Sequence, residues 1–294
     1  MNDPNHKISV RQLRALLLFT ATTDIVTVSA LGLGAHVRET VIGYLIAAAL
    51  LTFCALLARR IGRRVRLCAP IRNLFSVMGV LLLVFWIGLS FYTLHDYLGF
   101  VYGKFANTTL ILVLIALGAA YGVYSGIEGI ARLSSFFLGL ALLVLSAAFL
   151  KAAPSLSLAN LTADYDNFHL QGAGLLTAFQ LLGAETILFA SLRGRVRAED
   201  DTARSFVSFV WLKALILGGT FLMLKALLGS FLQVGRFPLY AALVSNGGSS
   251  SDILSLLIVF LDLCAIAVRI CACAYGVMAL VHRLRRAEEE GSRA

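Results

Sequence analysis

Two acidic residues lie inside long apolar stretches of this 294-residue chain, and they are the side chains best placed to do chemistry. Asp24 occurs in the segment TATTDIVTVS, and Glu185 occurs in FQLLGAETILF. Ionisable groups at membrane depth are costly, so they usually face a cavity, a ligand or a partner of opposite charge. Each acid therefore has two open interpretations, a ligand or proton site and a structural ion pair. The threonines around Asp24 could support a locally unwound backbone, and Gly183 permits a helix break before Glu185.

Two further charged residues, Asp262 and Arg269, lie seven positions apart in the last apolar stretch. A helix places residues at this spacing on one face, two turns from each other. The favoured hypothesis is a structural ion pair between them, because a buried charge needs a partner. The alternative is that either residue pairs with Asp24 or Glu185. Lys213, in another apolar stretch, is expected to extend its ammonium group to the inner membrane surface.

A second charged pair, Glu128 and Arg132, lies in SGIEGIARLSS with a spacing of four residues. This spacing lets the two side chains meet across one helical turn, so we expect a structural pair at the inner face of the membrane. The sequence contains no Ser/His/Asp set, no glycine-rich phosphate loop and no HExxH segment, which argues against a hydrolase or an ATPase. We therefore expect neither enzyme activity nor a cofactor.

The five cysteines give no sign of a metal site. They lie in or beside apolar stretches, without a CxxC spacing and without clustered His or Asp residues. We interpret all of them as small buried hydrophobic residues, and we predict no metal centre. These residues are Cys54, Cys68, Cys264, Cys271 and Cys273.

The composition indicates that these residues belong to a membrane protein. Hydrophobic residues make up 59% of the chain and charged residues only 14%, so the chain cannot hide its apolar surface by folding on itself. Eight apolar runs reach the roughly 20 residues that a helix needs to cross about 30 Å of hydrocarbon. The runs are continuously apolar, which excludes the alternating strands of a spanning β-barrel. The predicted helices cover residues 12–33, 40–58, 74–95, 107–124, 133–150, 172–192, 206–234 and 253–281.

Basic residues indicate how the predicted helices are oriented. If both termini are cytoplasmic, all the arginine-rich segments fall on the cytoplasmic side of the membrane. The net charge of +9 thus reflects orientation instead of nucleic-acid binding. We predict one transmembrane domain over residues 1–286 and a cytoplasmic tail over residues 287–294. The opposite loops hold one basic residue each, namely Arg38, Lys104, Lys151 and Arg236.

Three regions of the chain resemble a known family. KISVRQL resembles the start of helix one in the spore germination permeases, which are the B subunits of nutrient germinant receptors. YGVYSGIEGIARLSSFF resembles the region that leads into their helix five, and ANLTADY followed by FQLLGAETILFASL resembles their helix six. The resemblance covers about residues 7–286. It implies membership of the amino acid, polyamine and organocation transporter superfamily.

The resemblance implies an all-α membrane protein with LeuT-like inverted repeats, in which helices one and six are interrupted near the midplane and enclose a ligand. Family members commonly carry ten helices, so this chain is expected to lack the last two. Asp24 or Glu185 would bind the ammonium group of the ligand. The unwound, ligand-binding segments implied for this sequence comprise Thr22, Thr23, Asp24, Ile25, Leu182, Gly183, Ala184 and Glu185.

The function implied by the resemblance is that of a multi-pass receptor subunit that binds a small nutrient, such as an amino acid, and helps to trigger germination. Its implied partners are an A subunit, a lipoprotein C subunit and the lipid bilayer of the spore inner membrane. One alternative is a secondary permease that couples amino acid transport to protons through Asp24 or Glu185. A further alternative is a scaffold that binds no ligand. None of these hypotheses involves nucleic acid.

Overall fold

The computed structural model of the chain describes residues 7–31, 36–61, 69–103, 107–162, 170–196, 202–229, 232, 237–245 and 253–291. Within these ranges the chain forms eleven α-helices and no strand. Short 3₁₀ turns follow the fifth and the eighth helix. The helices are α1 (Val10–Ala30), α2 (Val37–Ile61), α3 (Ala69–Tyr102), α4 (Thr108–Ser125), α5 (Ile127–Ala152), α6 (Ala159–Thr162), α7 (Leu170–Leu181), α8 (Ala184–Leu192), α9 (Thr202–Leu228), α10 (Pro238–Ser245) and α11 (Ile253–Gly291).

Eight segments of the described residues are long and apolar enough to span a membrane. They confirm the prediction of an all-α, multi-pass membrane protein with about eight spanning helices. α7, α8 and the turn after them form one of these segments, and α11 continues through most of the predicted tail. The segments are Val10–Ala30, Val37–Ala58, Asn73–Tyr102, Thr108–Ser125, Ile127–Ser155, Gln171–Arg195, Thr202–Leu228 and Ile253–Arg285.

The fifth segment begins earlier than predicted because a single residue joins α4 to α5. That residue is Gly126, whose φ of +92° lies in a region that glycine adopts far more readily than other residues. The predicted helices over residues 107–124 and 133–150 leave Arg132 between them. In the structure Arg132 lies within α5.

α1 is the central helix of the bundle. Most of its residues are buried, and it packs against α3, α5, α8, α9 and α11. α4, by contrast, exposes most of its apolar side chains, which costs little where lipid tails are the surrounding solvent. α1 is also the least apolar of the eight segments. Its polar side chains are thus enclosed by protein, where they can find partners.

The start of α1 is fixed to the turn that follows α8. Ser9 and Gln12 form a reciprocal capping box, with hydrogen bonds of 2.9 and 3.2 Å. The backbone N–H of Ile8 donates to the carbonyl oxygen of Arg195 at 3.0 Å. These contacts set the position of α1 along α8, which brings the middle of α1 beside the first turn of α8.

The cysteines differ in their surroundings. Cys271 and Cys273 are buried and Cys264 is partly buried, as the sequence predicts. Cys54 is exposed on α2, so its interpretation as a buried residue is wrong. A thiol is apolar enough to face lipid, which explains its place on the outer surface. Of the cysteines and loop residues named from the sequence, Cys68, Lys104 and Arg236 lie outside the described ranges.

Candidate functional site

Four charged side chains from four helices meet in the interior of the bundle. The Nζ of Lys213, on α9, lies 2.8 Å from Oδ2 of Asp24 on α1 and 2.9 Å from Oε2 of Glu185 on α8. The Nη2 of Arg269, on α11, lies 3.1 Å from Oδ1 of Asp24 and 3.5 Å from Oε1 of Glu185. Each cation therefore contacts both acids. We call this closed set of four residues the charge ring.

The charge ring is buried and electrically balanced. The side chains of Asp24, Glu185 and Arg269 are 1% exposed and that of Lys213 is 9% exposed. Two carboxylates face two cations, so each charge that is withheld from water has two partners of opposite sign. In the part of the chain that the structure describes, no three His, Cys, Asp or Glu residues are grouped as metal ligands would be.

The threonines beside Asp24 hold α1 together instead of opening it. The hydroxyls of Thr22 and Thr23 donate to the carbonyl oxygens of Phe19 and Thr20, each at 2.7 Å. Bonds of this kind lie within a helix whose backbone is continuous from end to end. The predicted unwinding of helix one is therefore wrong for all its residues, which are Thr22, Thr23, Asp24 and Ile25.

A break interrupts the predicted helix six at Leu182 and Gly183, which separate α7 from α8. Gly183 has an extended conformation, with φ −56° and ψ 148°. A Cβ atom at this position would lie only 3.0 Å from the carbonyl oxygen of Gln180, so the close approach of the backbone favours glycine. Ala184 and Glu185, which were also predicted to unwind, form the first turn of α8 instead.

Trp86 of α3 connects the helix break to the charge ring. Its indole Nε1 donates to the carbonyl oxygen of Leu182 at 2.8 Å. The guanidinium carbon of Arg269 lies 4.5 Å from the centroid of the same indole, a cation–π contact. Arg269 also donates from Nη1 to the hydroxyl of Thr23. These contacts fix the orientation of Arg269 within the charge ring.

Lys213 is a functional candidate that the sequence prediction placed wrongly. Its side chain does not extend to the membrane surface but lies buried between Asp24 and Glu185. The two carboxylates hold the ammonium inside the protein, because together they offset its loss of hydration. One feature of the sequence could have indicated this position. Residues 206–234 contain no acidic residue, so a buried Lys213 has to find its partner on another helix.

Besides the atoms that take part in its ion pairs, three buried donor atoms in or near the charge ring have no hydrogen-bond partner within 3.5 Å among the described residues. They are the hydroxyl of Tyr44, the amide Nε2 of Gln180 and the Nε of Arg269. Tyr44 lies within electrostatic reach of Asp24 and Glu185, and Gln180 lies next to Asp24. Buried polar groups normally bond to protein or water. The hydroxyl of Tyr44 and the Nε of Arg269 are therefore available to an acceptor group, whereas the side chain of Gln180 already faces the carboxylate of Asp24.

Asp262 does not pair with Arg269 in the described structure, so the favoured prediction for these two residues is wrong. Oδ2 of Asp262 accepts a hydrogen bond from the hydroxyl of Tyr97 at 2.8 Å. The two residues share a face of α11, but seven positions correspond to about 10 Å along the helix axis, which is too far for an ion pair. The alternative, that Arg269 pairs with Asp24 or Glu185, is confirmed.

Asp262 also lines a cavity of about 40 Å³ between α1, α5, α9, α10 and α11. Thr22 and Ile25 of α1 line the same cavity. The four site residues predicted on helix one thus divide between two places, because Asp24 joins the charge ring and Thr23 bonds to it.

Glu128 and Arg132 form an ion pair at the start of α5, as their spacing predicts. The side chain of Glu128 is 30% exposed and that of Arg132 is 70% exposed. Exposed pairs of this kind typically stabilise a protein by no more than about 1 kcal/mol. The pair does not contribute to the charge ring.

A comparison of the chain with protein-family models finds no matching family, and a comparison with curated proteins finds no match. The resemblance to spore germination permeases and the inverted-repeat architecture therefore stay predictions. The charge ring and the helix break are the features from which a function has to be inferred.

Proposed function

We propose that this chain is a membrane protein that binds a small zwitterionic nutrient, such as an α-amino acid, at the charge ring. The observation that carries this proposal is that Glu185 belongs both to the charge ring and to the first turn after the helix break. Broken helices at membrane depth are typical of substrate sites in transporter folds. An α-amino acid carries one carboxylate and one ammonium group, the same two kinds of charge as the ring.

Charge balance favours a zwitterion over other solutes. The ligand carboxylate would contact Lys213 or Arg269, and the ligand ammonium would contact Asp24 or Glu185. The net charge of the site is then zero before and after binding, so no uncompensated charge is created in the interior. A solute with a net charge would leave an uncompensated charge in the interior. A neutral sugar would separate the ion pairs of the ring without offering charges of its own in their place.

The first turn of α8 offers further donors for the ligand carboxylate. The N–H groups of Thr186 and Ile187 donate to the carbonyl oxygen of Gly183. Those of Ala184 and Glu185 have no partner within the helix, and Gly183 has no side chain that could bond to them. Such N–H groups, together with the helix dipole, attract anions. The hydroxyl of Tyr44 adds one more buried donor near the charge ring.

The resemblance to spore germination permeases supports a sensory role for this binding. We propose that the chain acts as a germinant receptor subunit in the spore inner membrane and passes its signal to an A subunit and a lipoprotein C subunit. The charge ring suits this role, because a ligand that rearranges its ion pairs acts at once on α1, α8, α9 and α11. Neighbouring genes for A or C subunits would support the assignment.

Thermal unfolding of the purified protein with amino acids and matched derivatives tests the proposal. Binding stabilises the folded state by RT ln(1 + [L]/Kd), which is about 2.7 kcal/mol at a hundredfold excess over Kd. An amino acid that binds should raise the unfolding temperature, whereas its N-acetyl and amide derivatives should not, because each lacks one of the two charges. Equal stabilisation by all three compounds would contradict binding at the charge ring.

A proton-coupled amino acid permease is the second candidate, favoured by the surroundings of Asp262. This carboxyl lies beside a cavity, and its hydrogen-bond partner is the neutral hydroxyl of Tyr97. Intramembrane acids of this kind serve as proton relays in transporters. Uptake of a labelled amino acid into proteoliposomes under a pH gradient, lost in Asp262→Asn, would support the permease. Binding without any uptake would support the receptor.

A further inference from the structure

A basic cavity of about 370 Å³ lies along the C-terminal half of α11, next to the 3₁₀ turn that follows α8. Its described lining residues form a basic set at one end, called the basic wall, and an apolar set at the other, called the apolar wall, and none of them is acidic. The basic wall consists of Arg195, His282 and Arg285. The apolar wall includes Tyr275, Met278 and Val281.

The lining residues of α11 form a stripe that changes from apolar to basic. Met278, Val281, His282 and Arg285 recur at spacings of three and four residues, which places them on one face of the helix. The stripe is about 10 Å long at the helical rise per residue. Its apolar end includes Met278, which is 49% exposed on the surface of the bundle.

The basic wall coincides with the ends of two membrane-spanning segments. Arg195 is the last residue of the segment that contains α8, and Arg285 is the last residue of the segment formed by α11. The polar zone on each side of a bilayer is roughly 5–8 Å thick beyond the hydrocarbon. A cavity that extends about 10 Å from apolar to basic residues therefore crosses from the acyl chains into the headgroups.

Hydrogen bonds hold in place the two elements that line the cavity, which are α11 and the turn after α8. The backbone of Arg195 accepts from the N–H of Ile8 at 3.0 Å. Arg283 donates from Nη2 to the carbonyl oxygen of Ser191 at 2.7 Å, which ties α11 to the end of α8. The basic side chains are thus presented by a framework that is already formed, which lowers the cost of binding.

We propose that this cavity binds an anionic phospholipid, with its phosphate at Arg195 and Arg285 and an acyl chain along Tyr275 and Met278. Arginine recognises phosphate with paired hydrogen bonds, and basic residues next to a spanning helix attract anionic lipids. A free phosphate would use the basic wall alone. A phospholipid uses both walls, and it is the anion that the surrounding bilayer supplies. The site is separate from the charge ring and does not depend on nutrient binding.

The test is native mass spectrometry of the protein in equimolar phosphatidylglycerol and phosphatidylcholine with identical acyl chains. The wild-type protein should retain phosphatidylglycerol in preference to phosphatidylcholine. The Arg195→Gln, Arg285→Gln double variant should lose roughly 25-fold in phosphatidylglycerol retention, at roughly fivefold for each arginine. Arg132→Gln is the matched control, because Arg132 is an exposed arginine on the same predicted side, and it should stay within twofold of wild type.

Several results would overturn the proposal. One is equal retention of the two lipids by the wild-type protein, a comparison that needs no variant to fold. Unchanged retention in the double variant, or an equal loss in Arg132→Gln, would show that the cavity does not select the lipid. Displacement of the lipid by equimolar inorganic phosphate would identify a free phosphate as the occupant. Amino acid stabilisation measured in phosphatidylcholine is unaffected by any of these results, so it tests the charge ring separately.

Discussion

The Lys213→Met substitution removes one of the two cations of the charge ring. The Lys213 ammonium contacts Asp24 at 2.8 Å and Glu185 at 2.9 Å, and its side chain is 9% exposed, so solvent screens these contacts little. Methionine fills much of the space of the lysine stem but leaves two carboxylates facing Arg269 alone. Removing one partner from a buried ion pair costs about 3–5 kcal/mol. We expect the free energy of unfolding to fall by about this amount.

A second substitution should recover much of that loss. In the Lys213→Met, Glu185→Gln double variant, the ring keeps Asp24 and Arg269, which are 3.1 Å apart and opposite in charge. The ring then holds one negative and one positive charge, so we expect the double variant to be more stable than Lys213→Met alone. The two substitutions are then non-additive, with a coupling on the order of 2 kcal/mol.

Equilibrium unfolding in mixed micelles, followed by circular dichroism, measures these differences. Arg132→Met is the matched control, because it removes a cation from a pair in which the arginine is 70% exposed. It should cost less than about 1 kcal/mol. The reasoning is refuted if Lys213→Met costs no more than this control, or if the double variant loses as much as the sum of its single variants.

Two further predictions concern the helix break at Gly183 and the nearby Trp86, and both are measured by the same unfolding assay. Gly183→Ala places a Cβ atom 3.0 Å from the carbonyl oxygen of Gln180, so it should cost about 1–3 kcal/mol. Gly88→Ala, where no atom lies within 4 Å, should be neutral or stabilising, and equal effects at the two glycines would contradict the close approach. Trp86→Phe keeps an aromatic ring but leaves the carbonyl of Leu182 without its donor, which should cost about 1–3 kcal/mol. Unchanged stability of Trp86→Phe would rule out this hydrogen bond as a support of the break.

The spanning helices could be predicted because the bilayer imposes a length and an apolar composition on every crossing. The break near Gly183 could be predicted for a similarly local reason, since glycine tolerates a backbone that other residues would crowd. That α1 stays continuous through Thr22–Ile25 could not be predicted in the same way. A threonine hydroxyl can support either a broken helix or an intact one, and only the packing of α1 in the centre of the bundle decides between them.

The partners of the buried charges also could not be predicted from the sequence. The sequence gives the approximate depth of Asp262 and Arg269 in the membrane, but it does not give the rotation of α11 against its neighbours. That rotation directs Arg269 towards Asp24 and Asp262 towards Tyr97. The position of Lys213 depends in the same way on how α9 faces α1.

The affinity for the amino acid that gives the largest thermal stabilisation tests the central claim most directly. It should be measured by equilibrium binding to the wild-type protein, to Glu185→Gln and to Glu128→Gln, in which the same chemical change falls on an exposed ion pair. We predict that Kd rises at least tenfold in Glu185→Gln, because the charge ring then keeps one carboxylate for the ligand ammonium and for two cations. The Kd of Glu128→Gln should stay within twofold of wild type. Equal affinity in all three proteins would contradict a ligand site at the charge ring.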